Sequence, residues 1–207
     1  MKHLNLSNLG RAAMRALRTG NFEMTPGGLI HLRQEHSFIG GSFRAAYAPP
    51  DGDFGPPVIS HNRVVGQGLV HLLNLLGQHA TASPLYIAPW VNDTEPQAGW
   101  TGANFNANAS EFTAYTPTTR VPWTTVPLTN VANLNNSAAL AAATITFAAG
   151  GPYTIRGAAL LEGSAKGGTT GRLIVASRFP DDLTGMMGNG RLSLEYSLVA
   201  MDEADAA

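Results

Sequence analysis

Residues 153–199 read YTIRGAALLEGSAKGGTTGRLIVASRFPDDLTGMMGNGRLSLEYSLV. Apolar or alternating runs are separated here by compact turns of Gly, Thr, Ser and Asp. Alternation gives a strand one buried face, and close spacing with Gly-rich turns marks antiparallel pairing in a sandwich or barrel. The stretch Lys166–Gly171 therefore reads as a hairpin turn. A phosphate-binding loop needs GxxxxGK[ST] between a strand and a helix, so that the lysine and backbone donors converge. In this chain the lysine precedes the glycines and the stretch joins two strands.

Toward the N-terminus, further strands are expected at Leu85–Val91, Glu111–Tyr115 and Ala143–Phe147, beside Thr154–Leu161, Arg172–Phe179 and Arg191–Val199. Val65, Leu69, Leu72, Leu73 and Leu76 fall on one helical face that Gly77 ends. One short helix among many strands predicts an all-β protein, an antiparallel β-sandwich of jelly-roll type with the helix closing one end or edge. Residues 92–109 form a long polar loop carrying Trp100 and Phe105, and loops of that length commonly carry contacts. Two more strands are expected around Leu29–Gln34 and Ser42–Tyr47, joined by a turn at Gly40–Gly41. The Pro/Gly-rich APPDGDFGPP (48–57) is read as a loop separating these N-terminal strands from the main module. The resulting division is a basic arm (1–20), N-terminal strands and loop (21–60), the sandwich (61–200) and an acidic tail (201–207).

The arm, MKHLNLSNLGRAAMRALRTG, holds Lys2, Arg11, Arg15 and Arg18, and the first acid is Glu23. The arginines recur at helical spacing beside Ala13, Met14 and Leu17, which predicts a short amphipathic helix over 8–18. So short a helix is marginal in isolation and needs a partner surface. Leu4, Leu6, Leu9 and Leu17 would anchor it, Arg11, Arg15 and Arg18 would guide it, and Trp100 and Phe105 would add a second contact. The alternative is a frayed terminus.

Charged residues are 13% of the 207, against about 25% in ordinary soluble domains. No formal charge occurs between Arg63 and Asp93, nor between Arg120 and Arg156. Polar residues interrupt these stretches well short of the roughly 20 apolar residues of a membrane span. A surface so poorly protected by charge suits a subunit covered by neighbours. The net charge of −1 argues against binding nucleic acid by phosphate neutralisation. Cysteine is absent, which excludes disulfides and thiolate chemistry.

Catalytic patterns are weak. Six histidines (3, 31, 36, 61, 71 and 79) show no tight ligand spacing, so no metal or other cofactor is expected. Asp51/Asp53 and Asp181/Asp182 sit in turn-like sequence, where aspartate serves as a local backbone acceptor. No GxSxG elbow occurs. The rings of Trp90, Trp100, Trp123, Phe105, Phe112 and Tyr115 suit a core, a subunit contact or a sugar platform.

Four segments, in order, carry a resemblance: VVGQGLVHLLNLLG (64–77), LYIAPWVND (85–93), EFTAYTPTTRVPW (111–123) and IRGAALLEGSAKGGTTGRLIVASRF (155–179). Together they resemble a module of tailed-bacteriophage virion proteins, across about residues 62–199. That module includes jelly-roll capsid decoration (cement) proteins and related head and tail components. The resemblance implies a non-enzymatic protein on the capsid exterior of the virion. It would bridge major capsid (coat) protein subunits and contact other copies of itself, with no nucleic acid and no membrane as partner. The alternative it leaves is a tail, head-fibre or receptor-binding component contacting host glycans. A carbohydrate-active enzyme is a third class, disfavoured by the carboxylate pattern.

Overall fold

The computed structural model describes residues 22–24, 30–32, 37–127 and 133–202. The strands are, in chain order, β1 (Phe22–Met24), β2 (Ile30–Leu32), β3 (Ser37–Ala48), β4 (Val58–His61), β5 (Arg63–Val64) and β6 (Leu85–Trp90). They continue with β7 (Tyr115–Thr116), β8 (Val121–Pro122), β9 (Asn133–Asn135), β10 (Thr144–Phe147), β11 (Tyr153–Glu162), β12 (Leu173–Met186) and β13 (Arg191–Asp202). Helix α1 spans Gly66–Leu76, α2 spans Phe105–Ala109, and a 3₁₀ helix spans Ser137–Ala143.

These strands build an antiparallel β-sandwich, as expected. The first sheet runs β1-β2-β3-β13-β10-β7, with β4 also on β3 and β9 also on β13. The second runs β5-β12-β11-β6-β8. Its spine is the β11–β12 hairpin, with β6 on the far side of β11. Alternation sends Phe43, Ala45, Ile145, Phe147, Leu192, Leu194 and Tyr196 of the first sheet inward, all buried. There they meet Ile87, Ile155, Ala158, Leu160, Val175 and Phe179 of the second sheet in one core.

The second sheet is buried on its other face as well. Ala88, Trp90, Ala159, Leu161, Leu173 and Ala176 lie under Val65, Trp100, Phe105 and Ala109 in a second core. Burial on both faces explains why AALL and LIV read as continuous apolar runs rather than alternating ones. Helix α1 packs on β12 so closely that a Cβ on Gly68 would stand 2.0 Å from the Ile174 carbonyl oxygen. Its buried line is Gly68 and His71, with Leu69, Leu72 and Leu73 half-buried and Leu76 48% exposed. The expected leucine stripe thus straddles the contact instead of centring it.

Three local expectations are corrected. No turn forms at Gly40–Gly41, because β3 runs through both, opposite Val199 and Leu198. Gly41 is needed for close approach: a Cβ there would sit 2.2 Å from the Ser197 carbonyl oxygen. The 48–57 loop does not separate an extension from the module, since β3 before it pairs with β13 along all twelve residues. Asp181 and Asp182 lie within β12 rather than in a turn. Asp182 accepts hydrogen bonds from Arg156 (2.8 Å) and Arg178 (2.5 Å), which hold its carboxyl below the ordinary aspartate range.

Candidate functional site: a buried ion pair clasping the 163–172 loop

The loop between β11 and β12 is glycine-rich and polar, and by composition alone it would be mobile. Two sets of buried and half-buried charged side chains hold it. At its tip, Glu111 follows β6 in space through a single bridge to Trp90. Arg120 lies just before β8, and its backbone N–H donates to the Ser164 carbonyl at 2.8 Å. The two side chains form a bidentate pair, Arg120 Nε to Glu111 Oε1 at 2.8 Å and Nη2 to Oε2 at 2.6 Å. Both side chains are fully buried.

A pair removed from water is tolerable only when its remaining donors and acceptors are also met. The loop meets them. Arg120 donates to the carbonyls of Gly163 (2.9 Å) and Gly168 (3.1 Å), while the Gly167 N–H donates to Glu111 Oε2 at 2.9 Å. Lys166 donates to the carbonyls of Thr113 and Tyr115, and its ammonium lies 3.5 Å from the centre of the Tyr115 ring. Burial lowers the Lys166 pKa against the opposing pull of Glu111. Burial and the same carboxylate raise that of Tyr115.

At the base of the loop, Arg172 Nε donates to Glu162 Oε2 at 2.8 Å, and His71 Nε2 of α1 stands 3.4 Å from Glu162 Oε1. Burial opposes ionisation of Glu162, but its bonds to Arg172 and the attraction of Arg172 and His71 prevail and lower its pKa. Burial, then Arg172, lowers the pKa of His71, with Glu162 acting the other way. Gln67 Oε1 ties the same corner by accepting from the N–H groups of Gly102 and Leu173, at 2.9 and 2.8 Å. Gly171 closes the loop at φ +89°, where a Cβ would meet the Glu162 carbonyl oxygen at 2.3 Å. Chemically, both sets act as clasps on the loop, although His71 Nδ1, Glu162 Oε1 and the Tyr115 hydroxyl are buried without a hydrogen-bond partner among the described residues.

Of the contact residues expected from sequence, Leu4, Leu6, Leu9, Arg11, Arg15, Leu17 and Arg18 lie outside the described residues. Trp100 and Phe105 do not form a contact surface. They are 5% and 0% exposed and pack edge-to-face with Trp90, at ring separations of 5.8 and 5.9 Å, because the polar loop folds back over the second sheet. The envisaged sugar platform is dissolved by the same burial. Phe112 and Tyr115 stack in the main core, and the half-buried Trp123 donates to the Tyr196 carbonyl at 2.9 Å. Glu111 and Arg120 stood inside a quoted motif, yet nine residues apart nothing marked them as partners.

Compared with protein-family models, with curated proteins and with solved structures, the chain matches none.

Proposed function

We propose that this chain is a structural virion protein, a decoration (cement) protein that binds the outside of a tailed-phage head and bridges coat subunits noncovalently. One observation carries the reading. The two most specific segments of the resemblance, 111–123 and 155–179, meet in one buried clasp, where Glu111 and Arg120 hold the backbone of Gly163, Gly167 and Gly168. Polar residues that look motif-like thereby help fix the fold, which supports a structural role. A rigid module of this kind suits a clamp. A bound protein that must be stripped before coat subunits separate stabilises the shell, and many repeated contacts multiply the effect. The charge-poor composition fits a surface covered by the coat and by other copies. The jelly-roll winding of the strands belongs to the same proposal.

Cryo-electron microscopy of intact particles tests it. Density for the sandwich in stoichiometric, icosahedrally ordered copies outside the head shell is the expected result. Density confined to the tail or fibres, or absence of the chain from purified virions, overturns the proposal.

A further inference from the structure

The outer face of the first sheet carries a groove of about 510 Å³. Its floor includes Arg44 of β3 and Arg191 and Glu195 of β13, and its walls include Phe54 and Pro57 on one side and Leu140 of the 3₁₀ helix on the other. Phe54 is 41% exposed. The Arg191 guanidinium lies 5.1 Å from the centre of the Phe54 ring and donates to the Gly52 carbonyl at 2.8 Å, which props that wall in place. On the floor, Arg44 Nη1 and Glu195 Oε2 stand 3.9 Å apart, too far to satisfy each other by a hydrogen bond. The Glu195 side chain is only 17% exposed. An acceptor-only carboxylate and a donor-only guanidinium, the Arg44 side chain 57% exposed, therefore sit side by side next to an apolar wall.

We propose that this groove binds a neutral, hydroxyl-rich ligand, a pyranose unit of a glycan, with vicinal hydroxyls on Arg44 and Glu195 and the C–H face of the ring against Phe54 and Leu140. Each hydroxyl can accept from the guanidinium while donating to the carboxylate, so one diol completes both groups. An anion would meet Glu195, and a cation would meet Arg44 and Arg191. A peptide would find no free strand edge on this floor, because β3 lies between β4 and β13 and β13 lies between β3 and β10. The volume falls in the range of small-molecule sites. This inference goes beyond the capsid proposal and stands whether the chain sits on a head or a tail.

The test exposes the full chain to an array of neutral and acidic bacterial surface oligosaccharides. Methyl glucoside, mannoside, galactoside and N-acetylglucosamine are then titrated and followed by backbone amide shifts. Expected are binding of at least one neutral sugar, shifts centred on Thr144 and Ser193, and a loss of about tenfold or more in affinity for both Glu195→Gln and Phe54→Ala. Val70→Ser, on the exposed side of α1, should bind as the parent does, and all three variants should keep the parent melting temperature. Phe54 is a half-exposed loop side chain and Glu195→Gln is isosteric, so folding is retained in both. Binding of no neutral sugar at millimolar concentration overturns the proposal. So does binding that survives both groove variants, or a groove that selects acidic glycans or peptides instead.

Discussion

Arg120 is fully buried, and its charge is answered by Glu111 with two loop carbonyls completing its shell. Truncating one member of such a pair leaves an uncompensated buried charge, at a cost of about 3–5 kcal/mol. Arg120→Ala should lose that much stability in urea unfolding, whereas the double variant Glu111→Leu/Arg120→Met should recover most of it. His71 gives a pH prediction. Its folded-state pKa lies below the ordinary 6.5, so the unfolded chain binds the proton more readily and stability must fall as pH drops below that value. Glu162, held below its ordinary 4.5, adds a further loss as pH falls through its lowered pKa. Melting temperature should therefore decline on acidification from pH 7, and His71→Gln should flatten the part of the decline that begins near 6.5. At this scale the sequence was least legible. Trp100 and Phe105 sit in so polar a stretch (92–109) that nothing local reveals the apolar sheet face they cover. Arg44 and Glu195, in turn, look like any exposed strand charges until β3 and β13 are set side by side.

At the level of elements, the reading was most faithful where packing and local signals agree. Helix α1 was legible because its periodic residues end at Gly77, β11 and β12 because their apolar runs are long, and β13 because it alternates. The failures share one cause. Gly40–Gly41 has turn composition, but pairing with β13 and the close approach of Ser197 override it. Asp181–Asp182 likewise looks like a turn and is carried through as strand, with Arg156 and Arg178 neutralising Asp182. Close approach also makes α1 vulnerable. Gly68→Val should force the helix off β12, since even a Cβ meets the Ile174 backbone at 2.0 Å. Overpacking of this kind typically costs about 1–3 kcal/mol. Hydrogen exchange should show faster exchange along 66–76 in that variant, while β3 and β13 remain protected.

At the scale of the whole molecule, two sheets and an outer layer of loop and helix were only half foreseeable. The sandwich follows from alternation, but the outer layer depends on which face of the second sheet is left for 92–110 to cover. The longest strand pair, β3 with β13, joins residues as distant as Ser37 and Asp202, 165 positions apart in the chain. That pairing has a consequence for how the protein comes into being. During synthesis β3 emerges well before β13 and must wait, without its main partner, until β13 has been made. Long-range strand pairing is slow to form and leaves unpaired edges open to aggregation meanwhile. A chain halted before Arg191 should therefore remain unfolded and protease-sensitive, and release of β13 should trigger closure of the first sheet. Completion of the twelve residues of β13 is then the event that commits the chain to its native state.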